Sequence, residues 1–137
     1  MIEFQVHGFE AATLPVSRLA AFRPDPLLAI LGNLLRGQTL QHFDRESGPA
    51  GKWAALQPAT IARKGNGQIL FDTGRLRGSI GIVAGHNQVE VGTSVAYARF
   101  HQHGTRKMVA RPFVGLTAAD HDEIERATHT FIASLIA

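Results

Sequence analysis

The residues best placed to do chemistry are two histidines at i and i+2, within Phe100-His101-Gln102-His103-Gly104-Thr105-Arg106. Imidazole is a common metal ligand, and a protein metal site draws on three or four donors. His121, with Asp120 or Asp122, supplies residue types that would complete one. On a strand His101 and His103 would share a face, whereas on a helix they would point about 200° apart. The two acids, however, are already accounted for as first-turn residues of a C-terminal helix, where the helix dipole favours them. The stretch therefore reads as a turn ended by Gly104, with Tyr97 and Phe100 toward the core and both histidines toward the surface. No metal site and no cofactor is assigned.

Two further patterns fall short of chemistry. Gly48-Pro49-Ala50-Gly51-Lys52-Trp53 has two residues between its glycines and a tryptophan after its lysine. A phosphate loop needs a longer glycine spacing, to wrap amides around the phosphate, and a hydroxyl after the lysine for magnesium. Ser79, in Arg77-Gly78-Ser79-Ile80-Gly81, lacks the Gly-x-Ser-x-Gly elbow that exposes a nucleophile. The glycines Gly78, Gly81 and Gly85 do not form a dinucleotide fingerprint. With no catalytic residue assigned, the chain is read as a non-enzyme.

The elements that would hold these residues follow from composition and periodicity. A chain of 137 residues, 45% hydrophobic and 18% charged, fits a single domain over 1–137 with a real core. The absence of cysteine removes disulfides and thiol nucleophiles and suits a reducing cytosol. No apolar run approaches the roughly 18 residues of a membrane span. Met1-Ile2-Glu3-Phe4-Gln5-Val6 lacks the basic start of a signal peptide, so the chain is expected to be cytosolic when made. The net charge is +3, and eleven of fourteen basic residues are arginine. Arg63, Lys64, Arg75, Arg77, Arg99, Arg106, Lys107 and Arg111 form the denser basic group, read as a solvated or interfacial face.

Alternation in Ile2, Phe4 and Val6 predicts a half-buried strand, and a short helix is expected over Pro15–Phe22. A long central helix runs from Leu27 to about Arg45, with Asp25 as cap and Pro26 at its first position. Gly32 and Gly37 within it imply close packing against a neighbour. Residues 47–67 are punctuated by glycine and proline and read as an extended, mobile loop anchored by Trp53 and Leu56. Asp72-Thr73-Gly74-Arg75-Leu76 suggests a capped single turn. Ser79–Ala84 and Gln88–Gly92 form a hairpin, Val95–Phe100 a short helix, and Pro112–Leu116 a last strand. Thr117 and Asp120 open a C-terminal helix with a capping-box pattern. Its apolar stripe is Ile124, Ala127, Thr128, Phe131, Ile132 and Leu135. The expected fold is α+β, a small antiparallel sheet packed against the long central helix and the C-terminal helix, with a long loop between.

An ordered series of residues runs through these elements. Phe43, Glu46, Pro49, Gly51, Trp53, Leu56, Thr60 and Lys64 are followed by Ile69-Leu70, Thr73-Gly74, Leu76 and Ser79-Ile80. After the hairpin come Val91-Gly92, Tyr97-Ala98, His101-Gln102, Gly104 and then Ala110-Arg111-Pro112-Phe113, Gly115 and Leu116. The series resembles the virion morphogenesis family of long-tailed bacteriophages, the tail-completion proteins of Mu-like phages and prophages. It covers about residues 25 to 125. His42 stands where an arginine commonly precedes the phenylalanine, and Gly48 and Ala50 where acids are usual.

The resemblance implies a structural protein of the virion neck, similar in fold to tail-terminator and head–tail joining proteins that act as rings, often sixfold. It implies completion of the tail so that tail and DNA-filled head join. The partners would be further copies of itself, the tail tube and the head connector. A second reading has the arginines lining the path of DNA through the neck. The expected subunit interface combines the 47–67 loop with Trp53, Arg63, Lys64, Arg75, Arg77 and Arg106.

Overall fold

A computed structural model describes residues 2–6, 23–85 and 87–136 of the chain. The short helix expected over Pro15–Phe22 lies outside these residues. The architecture is α+β, as the sequence implies. Its main sheet has three antiparallel strands, β1 (Ile2–Val6), β4 (Gly81–Gly85) and β5 (Gln88–Thr93), in the order β1-β5-β4. Central β5 buries Val89, Val91 and Thr93 at every second position, the strand period expressed on the core face. The expected hairpin is present, and Asn87 in its turn adopts a left-handed φ of 53°.

Helix α1 (Asp25–Arg45) lies across β5 and β4. Leu27, Leu28, Leu31 and Leu35 are buried, a 3.6-residue stripe facing the sheet. Gly32 explains how close the helix comes, because a Cβ there would stand 2.7 Å from Val89 Cγ2 and 3.1 Å from Ile82 Cγ2. Gly37 has open space instead, so the close packing expected at both glycines holds only at Gly32. Asp25 is not the cap either. It sits in the first turn beside Pro26, Pro24 occupies the capping position, and no side chain caps the helix. A residue already wound into the helix leaves its charge to the dipole instead of bonding the first amides.

The segment 47–67 has more structure than a loop. It folds as a two-stranded ladder of β2 (Ser47–Gly48) and β3 (Gly51–Lys52), followed by helix α2 (Pro58–Lys64), which a left-handed Gly65 ends. Trp53 anchors it, edge-on to Phe43 at 5.7 Å, with its indole N–H donated to Pro112 O at 2.8 Å. A single turn, α3 (Arg75–Gly78), precedes β4. The short helix expected over Val95–Phe100 is displaced to α4 (Ala98–His103), which now carries both histidines.

Residues 112–116 are not a strand. The backbone groups of Pro112, Phe113 and Val114 are met by side chains from other elements. Gln102 Oε1 accepts from Phe113 N and Val114 N, both at 3.1 Å, while Gln102 Nε2 donates to Val114 O at 2.9 Å. One amide thus stands in for a neighbouring strand, and Phe113 drives its ring into the core, 5.3 Å from Phe43.

Helix α5 (Ala118–Ile136) starts with reciprocal bonds between Thr117 and Asp120, the expected box. Asp120 also meets His42 Nε2 at 3.0 Å, and His42 Nδ1 meets Phe113 O at 2.7 Å. One buried imidazole therefore joins α1, the 113 backbone and α5. The apolar stripe of α5 is half-buried, and α5 packs against α1. No helix among the described residues is long and apolar enough to cross a membrane.

Candidate functional site

Helix α2, the 70–76 segment, α4 and residues 107–111 surround a cleft of about 1050 Å³. Its position follows from local chain geometry. Pro58 opens α2 and Gly65 closes it, returning the chain so that Lys64 Nζ donates to Gln68 O. Leu70 then takes a left-handed φ of 57°, strained for a residue with a γ-branched side chain, and Gly74 repeats the left-handed turn at 82°. Arg111 N donates to His101 O at 2.7 Å, which pins the far wall to α4.

The floor of the cleft is apolar. Leu76 is buried, while Leu70 and Tyr97 pack against the core from the cleft side. The rim is basic, with Arg63, Arg75 and Lys107 exposed and Lys64 and Arg111 set deeper. Against these five cations the lining offers one acid, Asp72. Among the described residues no cleft cation has a carboxylate within 4.0 Å. The Arg111 guanidinium is held by neutral acceptors, Ala54 O at 2.8 Å and Ala55 O at 3.1 Å, so its charge is oriented but not cancelled. Arg75 lies over the Tyr97 ring at 5.7 Å.

The titratable groups register this field. Burial lowers Lys64 below its ordinary value; Asp72 opposes the shift, and Arg63 reinforces it. Burial, then the positive charges of Arg111 and Lys64, hold the His101 imidazole low. Burial likewise lowers Arg111. His101 stands edge-on to Tyr97 at 5.9 Å, and its Nδ1 is buried without a hydrogen-bond partner. The arrangement suits a ligand carrying negative charge, because five cations surround the cleft and none has a carboxylate within ion-pair distance among the described residues.

The two histidines do not converge. His101 turns inward beside Tyr97, and His103 is exposed. The expectation that Tyr97 and Phe100 face the core while both histidines face out is thus half reversed. Phe100 is 40% exposed beneath Arg99, and Ala98, His101 and Gln102 take the inner face that the displaced helix presents. Among the described residues no group of three or more His, Cys, Asp or Glu is placed to hold a metal.

The remaining sequence candidates divide by place. Phe43, Trp53, Leu76, Ile80, Ala98 and Phe113 are buried. Leu56, Thr60, Lys64, Thr73, Gly74, Tyr97, His101 and Arg111 line the cleft, with Leu76 shared between the two groups. Others shape the backbone. Glu46 turns left-handed after α1 and accepts Ile69 N, Ser79 bonds Thr93, and Gly92 pairs across both neighbours of β5. Gly51 and Gly104 adopt positive φ, Pro49 packs at Gly115, and Pro112 receives the Trp53 indole.

Of the expected interface, Arg63, Lys64 and Arg75 share the cleft. Arg77 instead pairs with Asp44 at 3.1 Å, and Arg106 is exposed outside the cleft lining. Trp53 is corrected to a core residue, 4% exposed and hydrogen-bonded, because its indole is spent fixing Pro112. In the sequence Lys107 stands only in the basic group and Arg111 in that group and the ordered series; nothing in their spacing joins them to Arg63 or Arg75.

A second surface is the outer edge of β4. The strand reads Gly-Ile-Val-Ala-Gly, ends the sheet, and exposes Ile82 at 38% and Val83 at 54%. It carries no charge or proline to discourage pairing.

The family model for phage virion morphogenesis matches residues 9–132. The chain is 33% identical over 112 residues to Mu-like prophage FluMu G protein 1 of Haemophilus influenzae, covering 77% of each chain. It is 30% identical over 146 aligned positions to Mu-like prophage FluMu G protein 2 of the same organism, covering 99% of each. No solved structure matches significantly.

Proposed function

The chain belongs to the phage virion morphogenesis family, and on that premise we propose that it completes the tail at the virion neck as a ring of copies, enabling head and tail to join. Membership of that family implies a structural role in phage assembly, and no residue is given a catalytic one. The observation that carries the ring is the uncharged edge of β4. A closed ring needs one surface to meet a different surface on the next copy. An exposed strand edge supplies directional main-chain pairing for such an interface. Tail-tube and head-connector proteins are the proposed neighbours above and below.

Native mass in solution, alone and with tail-tube or connector protein, tests this reading. Wild-type chain is expected to form a discrete oligomer, at least on its template, and Val83→Lys to remain monomeric while keeping its fold. A strict monomer under every condition that also fails to rescue a phage lacking the gene would refute it.

A further inference from the structure

We propose that the cleft between α2 and α4 is a docking site for an extended acidic segment of a partner virion protein, one that alternates carboxylate and apolar side chains. That the partner is a virion protein rests on the assembly reading; the acidic, apolar character of the segment rests on the cleft alone.

Charge supplies the first reason. Five cations against Asp72 leave the cleft strongly positive, and no ion pair among the described residues neutralises it. A protein rarely concentrates unpaired cations around a concavity without an anion to receive, since their mutual repulsion opposes folding. Arg111 is also preoriented, because two backbone carbonyls fix its guanidinium plane before any ligand arrives.

The floor distinguishes a polypeptide from duplex nucleic acid. Leu70, Leu76 and Tyr97 offer apolar surface below the basic rim. A phosphate backbone would use the rim and leave that floor wet. An extended chain sends successive side chains to opposite faces, so alternating glutamate and leucine would satisfy both surfaces together. The volume, about 1050 Å³, suits a few residues of such a segment. The buried, unpartnered Nδ1 of His101 gives the site a reporter group.

The test uses the full chain and a short fluorescent peptide alternating glutamate and leucine. Its lysine counterpart, a DNA duplex and inorganic phosphate serve as the other probes. The acidic peptide is expected to bind, and combining Arg63→Glu with Lys107→Glu should weaken it at least about tenfold. Both residues are exposed, so the variant should keep its thermal midpoint. In parallel, the bound peptide should move the His101 NMR titration to higher pH, as a nearby anion favours the imidazolium. Affinity unchanged by the charge reversals, or a His101 titration the peptide leaves unmoved, overturns the proposal. So does DNA binding without peptide binding, or phosphate displacing the peptide as effectively as unlabelled peptide does. Rescue of a phage lacking the gene separates the two readings. Rescue by the charge-reversed variant would discard the docking site alone, whereas failure of the wild-type chain would discard the assembly role whatever the peptide does.

Discussion

Replacing Gln102 with leucine removes three hydrogen bonds while nearly preserving volume. The side chain accepts from Phe113 N and Val114 N and donates to Val114 O, all within 3.1 Å. Each bond contributes about 1 kcal/mol net, and each backbone group orphaned in a dry site costs about 1–3 kcal/mol. The site is only partly buried, so water will recover a share of that penalty. The expected loss is therefore about 3 kcal/mol, near the low end of the sum. With a urea slope of about 1–3 kcal/mol per molar for small domains, the unfolding midpoint should fall by roughly 1–3 M. Gln41→Leu, on the exposed face of α1, is the control and should change stability by no more than about 0.5 kcal/mol. If Gln102→Leu costs less than about 1 kcal/mol, the claim that one amide replaces a strand is wrong. Water or a backbone shift would then be supplying those bonds.

Acid sensitivity should follow Asp120. Burial pushes its carboxyl up, but bonds from Thr117 and His42 outweigh this and hold it below the ordinary value. A depressed carboxyl stabilises the fold above the unfolded value near about 4 and loses that contribution as pH falls through the folded value. Asp120→Asn should accordingly flatten the acid limb of thermal midpoint against pH. The two glycines of α1 should respond in opposite directions. Gly32→Ala forces a methyl onto Val89 and should cost about 1–3 kcal/mol, whereas Gly37→Ala meets open space and should add up to about 1 kcal/mol, both by thermal unfolding.

Legibility in the sequence tracked how local the cause was. The β4–β5 hairpin and the Thr117–Asp120 box are decided by neighbours within a few residues, and both are present, as is the strand at Ile2–Val6, legible from its alternation although its partner is distant. Residues 112–116 look like a strand because Phe113, Val114 and Leu116 are apolar. Their actual partners are side chains on α1, α4 and the β3–α2 connection, and no periodicity encodes that. The segment 47–67 reads as a loop because Gly and Pro punctuate it, yet those same residues start and stop its short elements. The cleft was the least legible feature. Its cations stand at 63, 64, 75, 107 and 111, and only the fold brings them around one apolar floor.

The placement of β1 in the sheet has a consequence for the order of folding. Val6 pairs with Val89 and Ile2 with Thr93, so β1 cannot join the sheet until residues 89–93 have been made. Closing a loop of that length costs about 4 kcal/mol of chain entropy, against far less for the hairpin that joins Gly85 to Gln88. The hairpin and α1 can assemble on their own timescale, with β1 arriving last to complete the sheet. Until it does, β5 is an open edge beside β4, the place that β1 takes in the finished sheet.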